Sequence, residues 1–137
     1  MMNAFNDQVI AEFRANEGRV GGMFEGNDAM VIITTTGAKS GRAITNPLVF
    51  LPDGDRIVLI ASNGGADKHP AWYHNLVADP ELTLEVGTET YRGKAELVAD
   101  PERTALYDRM VERLPGFAEY RDNTSREIPV FAVYRTS

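Results

Sequence analysis

Met30-Val31-Ile32-Ile33-Thr34-Thr35-Thr36-Gly37-Ala38-Lys39-Ser40-Gly41-Arg42-Ala43-Ile44-Thr45-Asn46-Pro47-Leu48-Val49-Phe50-Leu51 is the stretch on which the reading of this chain turns. Its first part is largely β-branched and its last part is apolar, so two strands flank a short connection, Gly37 to Arg42. Glycines at 37 and 41 permit positive φ and let backbone N–H groups turn into a common concavity, while Lys39, Ser40 and Arg42 add charge and a hydroxyl. Such a turn suits an anion, although the same residues also describe an ordinary hairpin with solvated charges. It is not a Walker loop. That motif needs a wider glycine spacing leading into a helix, and Asn46-Pro47 stops any helix here.

Downstream, Pro52-Asp53-Gly54-Asp55 is a turn and Arg56 to Ala61 an apolar run of strand length, expected to lie centrally in a sheet. It ends at Ser62-Asn63-Gly64-Gly65-Ala66-Asp67-Lys68-His69-Pro70, small and polar, and a short helix follows from Pro70 to Ala78, halted at Asp79-Pro80. Leu82 to Val86 alternates apolar and polar, Gly87-Thr88 turns, and Thr90 to Val98 returns as a more polar strand interrupted at Gly93. Asp100-Pro101-Glu102 is a capped helix start, and Leu106, Met110, Val111 and Leu114 form the buried stripe of that helix. Phe117 to Glu127 is polar with two aromatics, and Pro129 to Arg135 supplies a last strand. Upstream, Phe5, Val9, Ile10 and Phe13 mark a helix from residue 4 to about 16, with Asn3 as cap and Gly18 as stop; Gly18 to Gly26 is glycine-rich and irregular. The expected fold is α+β, mainly β: one domain over residues 1–137, a six-stranded antiparallel split barrel with short peripheral helices.

A chain of 137 residues can bury roughly 68% of its unfolded surface, enough for a core without staples. The absence of cysteine excludes disulfides, thiolate metal sites and thiol catalysis, and fits a reducing compartment. A net charge of −6 repels a polyanion such as DNA, so nucleic acid is not an expected partner. No apolar run approaches the ~20 residues that span a bilayer, and the N-terminus lacks the marks of a signal peptide. A cytoplasmic protein is expected, with contact between its N-terminal helix and a membrane surface left open.

No serine stands in a nucleophile-elbow context, and His69 and His74, five residues apart, share no helical face, so neither a triad nor a metal site is expected. What remains is two loops bearing basic and hydroxyl groups, 37–46 and 62–69, each at a strand end, followed by Trp72-Tyr73. Phosphate contacts beside flat aromatic surface fit a nucleotide-like or flavin-like cofactor, and a cofactor that carries the chemistry leaves the polypeptide to hold it and shape the pocket.

Three ordered motifs, Thr34 to Gly41, Asn46-Pro47-Leu48 and Ser62 to Leu76, together with Ile128-Pro129, resemble the deazaflavin-dependent nitroreductase and quinone reductase family over most of the chain. The resemblance implies a split-barrel reductase that transfers a hydride from reduced coenzyme F420 to a quinone, nitroaromatic or enone. It implies that Lys39 and Ser40, with the backbone at Ala38, take the phosphate side of the cofactor, and that Ile44, Thr45 and Asn46 line the adjoining groove. Ile60, Ala61, Ser62 and Asn63 would lie along the deazaflavin ring, and Ala71, Trp72, Tyr73, His74 and Asn75 would close it from the other side. Ser62, with Tyr120 as a second donor, would face the reacting groups. The chain departs from the family pattern in having Ala38 and Ile44 where basic residues occur, and Val49, Leu114 and Phe117 where substrate-side tyrosines occur. The alternatives are an FMN enzyme on the same barrel and a non-catalytic carrier of F420 or lipid. Members of this fold often pair, which makes a homo-oligomer a further expectation.

Overall fold

The computed structural model describes residues 4–15 and 30–136, with the backbone alone for residues 4–7. The expectations for Asn3, the Phe5 side chain and the glycine-rich segment from Gly18 to Gly26 therefore lie outside the described residues. Strands β1 (Met30–Thr36), β2 (Ala43–Val49), β3 (Leu51–Asp53), β4 (Arg56–Ile60), β5 (Glu81–Val86), β6 (Glu89–Leu97) and β7 (Val130–Arg135) are accompanied by helices α1 (Ala4–Ala15), α2 (Ala71–Ala78), α3 (Glu102–Arg113) and α4 (Gly116–Asp122), and by a 3-10 turn at Asn63–Gly65.

The strands form one antiparallel sheet in the order β2-β1-β5-β6-β7-β4-β3. Its two outermost strands, β2 and β3, are separated in sequence by Phe50 alone. Both edges of the sheet therefore belong to one run of chain, which draws the sheet round into a split barrel. Counted as one strand bent at Phe50, β2 and β3 reduce the observed seven strands to the expected six.

Alternation along the strands separates three apolar clusters. Val31 and Ile33 of β1, Leu59 at the end of β4 and Phe131 and Val133 of β7 fill the barrel with Leu82, Leu84 and the α2 side chains Trp72 and Leu76. The neighbours that face outward go elsewhere: Met30 and Ile32 meet Val9, Ile10 and Phe13 of α1, and Val58, Ile60 and Val130 meet Leu106, Tyr107, Met110 and Phe117 of α3 and α4. Continuous apolar runs such as Ile57-Val58-Leu59-Ile60 thus record a sheet covered on both faces. They do not record a central position, since β4 lies one strand in from the edge, between β3 and β7.

One further expectation is corrected. β6 runs unbroken through Gly93, where a Cβ would stand 2.8 Å from Leu84 Cδ1 and 3.0 Å from Val133 Cγ1, so the glycine makes room for neighbours and interrupts nothing. Part of the polar stretch after Phe117 is α4, whose two aromatics, Phe117 and Tyr120, pack at 5.0 Å on its inner side.

Burial holds α1 in place more than charge does. Full burial of side chains such as Val9, Ile10 and Phe13 is worth roughly 1.5–3 kcal/mol each. The paired hydrogen bonds from Arg14 to Glu85, at 2.9 and 2.7 Å, join a largely exposed arginine and contribute about 1 kcal/mol or less. At the start of α3, Asp100 caps as expected: its Oδ1 accepts from the Thr104 N–H at 3.0 Å and the Thr104 hydroxyl at 2.6 Å. The Thr104 hydroxyl first, and then Arg103, which donates to Asp100 Oδ2 from Nε at 3.2 Å and Nη2 at 3.0 Å, hold that carboxyl below the usual range.

Candidate cofactor site

β1 and β2 pair from Met30↔Val49 to Thr36↔Ala43, leaving residues 37–42 as the connection. Within it the Gly37 N–H donates to the Arg42 carbonyl (2.8 Å), the Gly41 N–H to the Gly37 carbonyl (2.9 Å) and the Arg42 N–H to Ser40 Oγ (3.2 Å). Only Gly41 has positive φ, +68°. Gly37 is required for space, because a Cβ there would lie 2.5 Å from Ser40 Oγ and 3.0 Å from Ile44 Cδ1.

The Ala38 N–H, expected to meet an anion, instead donates to Asn75 Oδ1 at 2.9 Å, while Asn75 Nδ2 donates to Thr35 Oγ1 at 3.1 Å. Asn75 is 4% exposed. It is a clamp from α2 to the turn, not an open ligand contact. Among the described residues the N–H groups of Lys39 and Ser40 have no partner, and the exposed side chains of Lys39 and Arg42 join no ion pair. Two free donors between two uncompensated cations attract an anion locally, although the chain as a whole is acidic. Beyond the turn, Ile44 is exposed, Asn46 is half-buried, and Thr45 Oγ1 lies 3.1 Å from Thr34 Oγ1 in a cross-strand pair.

On the next loop Ile60 and Ala61 are buried in different clusters, and the Ala61 N–H donates to the Pro129 carbonyl at 2.9 Å. Their side chains face the core, leaving the strand end after them to meet a ligand. Ser62 is 7% exposed, and its hydroxyl takes no partner among the described residues. Asn63, at φ 49°, donates from Nδ2 to the Lys68 carbonyl at 3.0 Å.

Trp72 is corrected from ring contact to core: it is buried against Phe131, with centroids 5.9 Å apart. The aromatic surface nearer solvent is the trio His69, Tyr73 and His74, with His69 and Tyr73 rings 4.2 Å apart and Tyr73 and His74 rings 5.2 Å apart. Ala71 is exposed at the start of the same helix. Burial first, then the nearby Arg126 and His74 charges, lowers the His69 pKa and favours its neutral form.

Val49, Leu114, Phe117 and Tyr120, distant in sequence, come together in the cluster under α3 and α4. Phe117 is buried, and its carbonyl accepts the Tyr107 hydroxyl at 2.6 Å. The 62–65 turn docks against α4 so closely that a Cβ on Gly65 would stand 3.0 Å from Tyr120 Cα, which brings Ser62 and Tyr120 onto neighbouring segments.

Sequence reasoning missed Arg126. Its guanidinium reaches the carbonyls of Ala61, Ser62 and Ala66 and the His69 ring. Nothing in a lone arginine within a polar segment signals this, because three of the four partners are backbone oxygens. Among the described residues no group of three or more His, Cys, Asp or Glu is placed to hold a metal.

The free donors and cations of the 37–42 turn fit the acidic end of a cofactor, and the Tyr73 side of α2 fits a flat ring. A curled antiparallel sheet carrying these features defines a split-barrel protein suited to a flat cofactor with an acidic end. The family profile of F420H(2)-dependent quinone reductases matches residues 7–134, and the chain belongs to that family. An F420H(2)-dependent quinone reductase of Mycobacterium tuberculosis (strain H37Rv) is 34% identical over 128 residues, covering 91% of this chain and 86% of that protein. A solved F420-H2 dependent reductase (FDR-A) superposes with a TM-score of 0.70 at 38% identity, covering 77% of this chain and 93% of its own. Another solved chain, described as a domain-swapped dimer, gives 0.73 at 34% identity, with 93% and 92% covered.

Proposed function

We propose that this chain reduces quinones with reduced coenzyme F420, gripping the cofactor's acidic end at the 37–42 turn. The observation that carries the reading is the pair of N–H groups at Lys39 and Ser40 that have no partner among the described residues, flanked by Lys39 and Arg42 and fixed by Asn75 to the helix bearing Tyr73 and His74. When bound, the reduced deazaflavin supplies a hydride, two electrons with their proton, which with one further proton converts a quinone to a hydroquinone.

The chain's own residues bind, orient and exclude water. Lys39, Ser40 and Arg42 neutralise the acidic end, while Ile44, Thr45 and Asn46 border the groove leading away from it. Tyr73 and His74 close the ring face. The Ser62 hydroxyl, with no other partner among the described residues, donates to an acceptor oxygen as negative charge grows there, and Tyr120 is the second donor. A donor already in place needs no reorganisation at the moment of transfer. Val49 and Leu114, with the buried Phe117 packed in the same cluster, make the acceptor side apolar, which suits a quinone ring better than a charged substrate.

The test is anaerobic turnover: purified protein, F420H2 and menadione should restore the absorbance of oxidised F420 at a rate proportional to enzyme. Tight F420 binding with no turnover across a panel of quinones would overturn the reductase reading in favour of a carrier, and a yellow protein that releases FMN on denaturation would overturn the cofactor assignment. The reading includes a cytoplasmic setting, supported by the cysteine-free sequence, and a homo-oligomer, supported by the domain-swapped relative. No helix among the described residues is long and apolar enough to cross a membrane.

A further inference from the structure

The loop from Ala61 to His69 has little regular pairing of its own: the Gly65 N–H donates to the Ser62 carbonyl and the Ala66 N–H to the Asn63 carbonyl. One guanidinium supplies what is lacking. Arg126 Nη2 donates to the carbonyls of Ser62 (2.8 Å) and Ala61 (3.2 Å), Nε donates to the Ala66 carbonyl (2.9 Å), and Nη1 lies 3.1 Å from His69 Nδ1. Thr124 fastens the same segment to the loop, its hydroxyl donating to Asp67 at 2.9 Å and accepting the Arg126 N–H at 3.3 Å. Arg126 pairs with no carboxylate among the described residues. Its planar fork of donors is committed to three oxygens and a ring nitrogen, an arrangement that a lysine ammonium does not reproduce.

We propose that Arg126 is a positioning residue for the site, gathering both ends of the 61–69 loop so that the Ser62 backbone, and with it the arc its hydroxyl can sweep, is held in one place. The role given to Ser62 rests on the reductase reading; the geometry of the clamp does not. With its carbonyl bound by both Arg126 and Gly65, the Ser62 backbone is fixed and only side-chain rotation remains. The contact with His69 needs a neutral ring offering Nδ1 as acceptor. The groups facing that ring are Arg126 from the C-terminal segment and Tyr73 and His74 from α2, while the adjacent Asp67 is engaged by Thr124. A second proton on His69 would place two cations in contact and weaken the clamp.

The experiment compares Arg126→Lys and Arg126→Ala in the full chain by F420H2–menadione kinetics, by NMR titration of His69 and by amide exchange at Ser62 to Ala66. Expected for both variants is a kcat loss of about tenfold or more, since small misplacements at a reacting centre carry large rate costs. KM for F420H2 should change by a smaller factor than kcat, because the Lys39 turn that grips the acidic end is untouched. In Arg126→Ala the His69 pKa rises towards its ordinary value and exchange at Ser62 to Ala66 accelerates. A kcat within about twofold of wild type in both variants, an unmoved His69 titration, or failure of both variants to fold would overturn the inference. Should wild type itself show no quinone turnover, the functional reading fails, and the clamp is decided by the titration and the exchange alone.

Discussion

At the scale of single residues, the site separates side chains that face outward from side chains that hold others in place. Lys39 and Arg42 belong to the first group; Asn75, Trp72 and Gly37 belong to the second. A charge-assisted hydrogen bond contributes roughly 1.5–3 kcal/mol, and exposure places Lys39 at the lower end. Lys39→Ala should therefore weaken F420 binding about tenfold while leaving the thermal midpoint unchanged, as titration and melting of the same sample will show. The resemblance in the sequence pointed to residues 71–75 of α2 without distinguishing the directions of their side chains. Direction on a helix is decided by what the helix packs against, and α2 turns Trp72, Asn75 and Leu76 inward. Arg126 was illegible for a related reason: its partners are carbonyl oxygens, which every residue carries.

At the scale of elements, the decisive contact is between the 3-10 turn at Asn63–Gly65 and α4. Gly65 sits at φ +84° with the Tyr120 backbone where a side chain would be, 3.0 Å to Cα and 3.2 Å to O. Gly65→Ala combines backbone strain with a clash against atoms that cannot swing aside, a cost of about 1–3 kcal/mol. The expected outcome is a fall of roughly 3–12 °C in melting temperature, with faster amide exchange in α4 and a reduced kcat as Tyr120 and Ser62 move apart. Strands were legible because two-residue alternation and β-branching survive in short windows. The α4 helix was hidden by length: at 7 residues it offers too few turns for a helical stripe to stand out, and it exists because it can cover the 62–65 turn.

At the scale of the whole molecule, titration separates the site from the scaffold. His69 has a lowered pKa in the fold, so the unfolded chain takes up its proton first; the associated stability is complete above the ordinary imidazole value of about 6.5 and is lost as pH falls through the folded value. Asp53, held low by Arg109 and then Arg56, and Asp100, held low by Thr104, follow the same sign at lower pH, below about 4. Tyr107, raised by burial, reverses it, and its contribution is lost as pH rises above about 10. Melting temperature against pH should show a first shoulder below about 6.5 that disappears in His69→Asn, then a steeper decline in acid common to both proteins.

The bend at Phe50 carries one last implication. From Ala43, just after the cationic turn, β2 runs without a break to Val49 beside the apolar cluster under α3 and α4, seven residues in all, or about 20 Å of extended chain. On the proposed reading, the strand is a ruler between the anchoring point and the reacting end. A molecule gripped at one mark and acting at the other has to match that length, so the backbone itself sorts ligands by reach before any side chain has been consulted.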